Sequence, residues 1–318
     1  MPKKTFSEYL TITLKGMGMG AADVVPGVSG GTIAFITGIY EELVFSIKSI
    51  NAEAIKRIFS TGLSDFWKAI NGNFLLSVFL GVLISVFSLA RLLEYLLINY
   101  PIFVWSFFFG LIVASAIYIA SKIKKWNIVR MVSLFIGIII AYLITQISPA
   151  QTTEAYWFIF LSGALAVCAM ILPGISGAFI LLLLGKYQFI LGAIGELNIL
   201  VLVIFVLGAI AGLISFSNIL SWFLKKYHDA TIALLAGFMI GSLNKVWPWK
   251  ETTETFVDRH GEVQPLLQEN VLPSTYESIS GESSFLVYAI SAAAIGFILI
   301  FVIEYISRST KKLTGNEQ

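Results

Sequence analysis

The sequence predicts an all-α polytopic membrane protein with an inverted-topology repeat, each half one re-entrant broken helix pair plus three transmembrane helices. Three observations predict it. Of 318 residues, 57% are hydrophobic types and only 13% are charged, about half the charge of a soluble domain. Apolar runs of about 20 residues, enough for one bilayer crossing, recur along the chain. Two Pro-Gly-x-Ser-Gly clusters, Val25-Pro26-Gly27-Val28-Ser29-Gly30-Gly31 and Leu172-Pro173-Gly174-Ile175-Ser176-Gly177-Ala178, stand 147 residues apart.

The first half, 1–150, opens with residues 12–47, two short apolar arms around the first cluster. Crossings follow at 73–98, 101–121 and 129–147. The second half, 151–318, repeats the plan with broken arms at 156–194 and crossings at 198–224, 230–247 and 284–306. From Val25 to Tyr40, seven positions match the second half at the same spacing, including Gly38 with Gly185 and Tyr40 with Tyr187. Later, Phe87-Ser88 answers Phe216-Ser217, and Tyr100 and Gly110 answer Tyr227 and Gly237. The changed spacing requires a longer connection in the first half, at about 48–72.

Charge orients this plan. If both broken segments dip in and return, 16 of the 21 Lys and Arg fall on the side of the N-terminus. These include Lys48, Lys56, Arg57 and Lys68 of the long connection. Segments that crossed fully would turn that basic connection outward, against the positive-inside rule. The N- and C-termini are therefore expected in the cytoplasm, and the outer 250–283 loop is acidic, with seven Asp or Glu. Three crossings per half invert one half relative to the other, a recurring transporter design with discontinuous helices at the midplane. Trp126 and Trp222 fall near inner boundaries, and Trp105, Trp157, Trp247 and Trp249 near outer ones, as an aromatic belt requires.

Several classes are disfavoured. Met1-Pro2-Lys3-Lys4 does not open a removable signal peptide. The single cysteine, Cys168, forms no intrachain disulfide. His228 and His260 stand far apart, so no metal site is expected. The basic residues sit in short loops as orientation signals, which argues against a nucleic-acid partner.

The clusters carry the expected chemistry. Pro26 and Pro173 suit the first turn of a new half-helix. The residues after them offer backbone amides and a hydroxyl, and helix N-termini attract anions. Gly27, Ser29, Gly30, Gly31 and Thr32, with Gly174, Ser176 and Gly177, are the expected anion cradle. Asp23 precedes the first cluster, and Met170 stands at its place in the second. An acidic group in the membrane suits proton or cation coupling; it equally suits accepting backbone amides at the break. Arg91 and Glu94 share a face of the first crossing, as an internal ion pair or with Arg91 as a phosphate-binding fork. Lys245, in Asn244-Lys245-Val246-Trp247-Pro248-Trp249-Lys250, fits a boundary anchor or a headgroup contact.

The two clusters, the Gly20-Ala21-Ala22-Asp23-Val24-Val25-Pro26-Gly27 run and the Leu243-Asn244-Lys245-Val246-Trp247-Pro248-Trp249 segment resemble the bacterial polyprenyl-phosphate transporter family over nearly the whole chain. The resemblance implies a plasma-membrane flippase that returns undecaprenyl phosphate from the outer to the inner leaflet for cell-envelope synthesis. It implies no cofactor beyond an H+ or Na+ coupling ion. It would put the phosphate at Ser29–Thr32 and Ser176–Gly177, with Arg91 and Lys245 as helpers; the acidic residues Asp23 and Glu94 are the candidates for coupling, and no catalytic residue is expected. Two rivals stay open. A membrane phosphatase acting on polyprenyl pyrophosphate also uses re-entrant helices but needs a nucleophile, an acid and usually a metal. An anion channel or exchanger would use the same half-helices for a bare ion.

Overall fold

A computed structural model describes residues 4–24, 28–149, 152–257 and 263–313. The chain is mostly helical. Helix α1 (Phe6–Val24) leads into the first break, and α2 (Gly30–Ile36) and α3 (Tyr40–Lys48) follow it. Two short helices, α4 (Ala52–Ser60) and α5 (Leu63–Ala69), precede α6 (Gly72–Asn99), α7 (Pro101–Ser121) and α8 (Ile128–Gln146). The second half runs α9 (Tyr156–Ile171), α10 (Gly177–Leu183), α11 (Tyr187–Gly195), α12 (Ile199–Lys226) and α13 (His228–Ser242). Strands β1 (Lys250–Val257) and β2 (Val263–Asn270), then α14 (Pro273–Ser280) and α15 (Leu286–Leu313), complete it. Among the described residues five helices are long and apolar enough to cross a bilayer, or up to seven if each bent pair is one span. The chain is a multi-pass membrane protein.

The expected breaks are present, and neither 12–47 nor 156–194 is continuous. Each second arm is bent again, which the sequence reading did not foresee. α2 meets α3 at 116°, and α10 meets α11 at 105°. The cause is the matched glycine of each half: Gly38 at φ 73° and Gly185 at φ 62° hold left-handed backbone that glycine adopts without a Cβ penalty. Tyr40 and Tyr187, the other matched pair, begin the helices beyond the bends.

The two halves keep a common element plan. α2 and α10 begin 147 residues apart, and α6 and α12, each 28 residues long, begin 127 apart. This register puts Phe216-Ser217 two residues away from the counterpart of Phe87-Ser88, so that correspondence was coincidental. The longer first-half connection is α4 and α5, where the second half has only residues 196–198. Phe59 and Leu63 there are strongly exposed beside Lys56 and Arg57, the pattern of helices lying at a membrane surface.

Packing repeats as well. α1 packs along α6 as α9 packs along α12, and α7 pairs with α15 as α13 pairs with α8. Glycines sit where the backbones touch. A Cβ on Gly81 would fall 2.1 Å from the Thr13 carbonyl oxygen, and one on its counterpart Gly208 1.9 Å from that of Phe160. Such close contact suits helices that gain nothing from the hydrophobic effect within lipid.

Two expectations fail at one end of the molecule. The expected 230–247 crossing is a 15-residue helix ending at Ser242, with turns through residues 243–246. The acidic 250–283 loop contains the antiparallel β1–β2 hairpin, with Lys250 opposite Asn270, and α14. Trp247 and Trp249 are not lipid-facing anchors. The Trp247 indole donates to the Val271 carbonyl at 2.8 Å and the Trp249 indole to that of Ser284 at 2.9 Å, which ties the hairpin region to the bundle. Trp126, Trp157 and Trp222 remain exposed.

Candidate functional site

The site is assembled where the two breaks meet. Ser29 is the N-cap of α2, and its Oγ accepts the Gly31 amide at 3.1 Å. The same hydroxyl reaches the end of α9, with the Leu172 oxygen at 3.0 Å and the Met170 oxygen at 3.2 Å. In return, Gly174 of the second break donates its amide to Thr32 Oγ1 at 3.1 Å. Ser29 and Thr32 are 0% exposed and Ser176 is 3% exposed. A buried polar seam is thus made by residues far apart in sequence. An unpaired polar group here would cost a few kcal/mol, so the partners hold the two breaks in one geometry.

The sequence reading expected free amides at the first break, but those of Gly30 and Gly31 are engaged. Asp23 Oδ1 accepts the Gly30 amide at 2.7 Å, and Ser29 takes that of Gly31. Asp23 therefore does what one of its two readings required, and a resident carboxylate stands where an incoming anion was placed. Among the described residues it has no ion-pair partner. Glycine is needed there for a second reason. A Cβ on Gly31 would lie 2.6 Å from the Ile171 carbonyl oxygen. Gly174, at φ 89°, presses its backbone on Phe238 and Met239 of α13.

The second break differs. Met170 replaces the carboxylate, and Ser176, the N-cap of α10, makes no capping bond. Ser176 faces a narrow gap that it shares with Thr145, Ser242 and Lys245. The gap adjoins a polar cavity of about 530 Å³ between the end of α8, α10 and the hairpin, with Lys245 in the wall of both. The Lys245 ammonium lies 4.6 Å above the Phe179 ring. Lys250 also enters this cavity. The sequence reading named it only as the end of the boundary motif, although it stands five residues after Lys245 in Trp-Pro-Trp-Lys.

The remaining expected residues lie apart or outside view. Gly27 is outside the described residues. Arg91 and Glu94 lie on α6, and their side chains are also outside the described ones. Gly177 closes on α9, where a Cβ would fall 2.6 Å from the Ala166 carbonyl oxygen. Among the described residues no three His, Cys, Asp or Glu side chains group to hold a metal.

At the opposite end of the bundle, His228 joins the Glu41 carboxylate of α3 at 2.9 Å and Asp229 at 3.2 Å, and Arg130 of α8 pairs with Asp229 at 3.0 Å. Partial burial works against the imidazolium, but hydrogen bonds to Glu41 and Asp229 outweigh it and raise the His228 pKa.

Known proteins place this arrangement. Residues 19–264 match the model of the VCA0040-like family, described as undecaprenyl phosphate translocase-like. A polyprenyl-phosphate transporter of Vibrio cholerae is 47% identical over 301 residues, covering 94% of this chain and 97% of that one. A polyprenyl-phosphate transporter of Staphylococcus aureus is 34% identical over 255 residues, covering 74% and 85%. No solved structure matches the chain.

Proposed function

Since this chain belongs to the VCA0040-like, undecaprenyl phosphate translocase-like family, we propose that it is a lipid transporter returning undecaprenyl phosphate from the outer to the inner leaflet of the bacterial plasma membrane. The observation that carries this reading is the polar seam of Asp23, Ser29, Thr32 and Gly174 in the apolar bundle. An anionic headgroup needs polar partners at depth, while its isoprenoid chain can stay in lipid. An apolar groove of about 560 Å³ beside α6 and α7, walled by Leu93, Leu96, Phe103 and Phe107, offers room for such a chain.

The halves are taken as inverted repeats with re-entrant breaks. The exchange of α1–α6 with α9–α12, and of α7–α15 with α13–α8, supports this, as does the charge bias, which keeps both termini cytoplasmic. The hairpin and Lys245 then face outward, and His228 faces inward.

Transport is proton-coupled in this proposal, and Asp23 is the coupling group. A proton on Asp23 removes the resident negative charge from the Gly30 amide, and the lipid phosphate takes its place at the seam. Loss of the proton on the inner side restores the Asp23–Gly30 bond and expels the phosphate. Ser29, Thr32 and Ser176 supply the neighbouring polar contacts.

The test is leaflet-resolved transport of labelled undecaprenyl phosphate by the purified protein in proteoliposomes. Movement from the outer leaflet faster than in protein-free vesicles, accelerated by an acidic exterior, is expected. Release of inorganic phosphate from polyprenyl pyrophosphate, or anion current in vesicles lacking polyprenyl lipid, would replace this reading with a phosphatase or a channel.

A further inference from the structure

We infer that Lys245 and Lys250 form a binding site for a phosphate monoester in the cavity between the second break and the hairpin. The inference rests on the transporter reading and adds to it the residues that first receive the headgroup.

The cavity is built for a polar guest. Thr145, Asn244, Lys245, Lys250, Gln268 and Asn270 face its volume of about 530 Å³, several times what one phosphate group fills. Its polar side chains are held in place. Asn244 donates to Thr145 Oγ1 at 2.9 Å, and Asn270 donates to the Asn244 carbonyl at 2.7 Å.

Two cations enter this space, and the one carboxylate of its wall among the described residues pairs with neither. The Lys250 ammonium donates to the Lys245 carbonyl at 2.5 Å and lies 4.7 Å over the Trp105 ring. Lys245 sits over Phe179. Aromatic faces hold an ammonium without neutralising it, so each lysine keeps donors for a guest. Among the described residues neither is ion-paired. The carboxylate in the wall, Glu269, is exposed on the hairpin opposite Glu251.

The charge arithmetic selects the guest. A phosphate monoester carries close to two negative charges at neutral pH, which two ammoniums balance. A diester carries one and leaves a half-buried lysine unbalanced. Burial and the nearby Lys245 charge already push Lys250 down to about 7, a strain that a dianion relieves. Lys245 also lines the narrow gap beside Gly174 and Ser176 of the second break, which sets the site next to the seam.

Binding to the full-length protein in maltoside micelles tests the site, read by titration calorimetry with farnesyl phosphate, inorganic phosphate and methyl farnesyl phosphate. Wild type should bind farnesyl phosphate at least tenfold more tightly than the methyl diester. Lys245→Met and Lys250→Met, which keep the side-chain stems over Phe179 and Trp105, should each weaken binding at least tenfold. Lys250→Arg should retain most of it, and thermal unfolding should confirm that the variants are folded. Farnesyl phosphate binding well above inorganic phosphate assigns the site to a lipid headgroup; equal binding assigns it to free phosphate. Absent binding in wild type, equal affinity for the diester, or unchanged affinity in the folded Lys245→Met/Lys250→Met variant overturns the inference. If the site binds as expected yet the protein moves no undecaprenyl phosphate, the transporter reading fails and the site stands. Wild-type transport by the folded double variant has the converse meaning.

Discussion

Gly174 donates its amide to Thr32 Oγ1 at 3.1 Å, joining the second break to the first turn of α2. The Ser29 hydroxyl repeats the linkage in the other direction, 3.0 Å from the Leu172 oxygen. Each break thus supplies what the other lacks. In the proposed function the same hydrogen-bonding groups would also meet the charged headgroup.

Thr32→Val keeps the shape and removes the acceptor. The buried Gly174 amide then lacks a partner, at a cost of about 1–3 kcal/mol. Thermal unfolding in detergent should show a clear loss of stability for Thr32→Val and near-recovery for Thr32→Ser. Equal stability of Val and wild type would mean that the seam bond contributes nothing.

Asp23→Asn leaves an oxygen for the Gly30 amide and should fold almost normally. Asp23→Leu leaves that amide bare and should lower stability by about 1–3 kcal/mol. Chemical-denaturation midpoints of the two variants measure the difference. Indistinguishable midpoints would contradict the capping role.

Gly110 and Gly38 are both glycines, for different reasons. A Cβ on Gly110 would fall 1.9 Å from the Ala293 oxygen of α15, whereas at Gly38 nothing lies within 4 Å and only φ 73° is demanding. Gly38→Ala should cost about 1–2 kcal/mol of backbone strain. Gly110→Ala forces two helices apart and should cost more, and Gly110→Leu should abolish the folded state in size-exclusion profiles.

His228 has a raised pKa in the folded protein. Its bonds to Glu41 and Asp229 therefore add stability that is complete below its ordinary value of 6.5 and fades as pH rises through the folded value. The side chain is half exposed, so the effect should stay below about 1 kcal/mol. Unfolding of wild type and His228→Gln compared over about pH 6 to 8 should show the gap closing as pH rises.

Much of this was legible in the sequence because it is written in local signals. Ser29 and Ser176, set in matched Pro-Gly clusters, mark the breaks, and the changed spacing of Tyr100 and Gly110 against Tyr227 and Gly237 marks the longer connection near 48–72. The second bends were not read, although Gly38 and Gly185 were matched, because a positive φ leaves no trace in hydropathy. That Asp23 accepts a backbone amide at the break is one of its two sequence readings, but which amide it takes, that of Gly30, is fixed by the folded chain and not by spacing. The cavity was missed for a similar reason. Lys250 meets Lys245, Asn270 and Thr145 only through the hairpin and the end of α8, which are brought together by tertiary packing and not by sequence spacing.

The central claim is that the seam between the breaks is where the headgroup crosses, with Asp23 as its proton-dependent gate. Leaflet-resolved transport of undecaprenyl phosphate by folded Asp23→Asn protein, with and without an acidic exterior, tests it most directly. The account predicts that the pH gradient accelerates wild type and has no effect on Asp23→Asn, whose rate falls at least tenfold. A folded Asp23→Asn protein that transports at the wild-type rate and still responds to the gradient would contradict it.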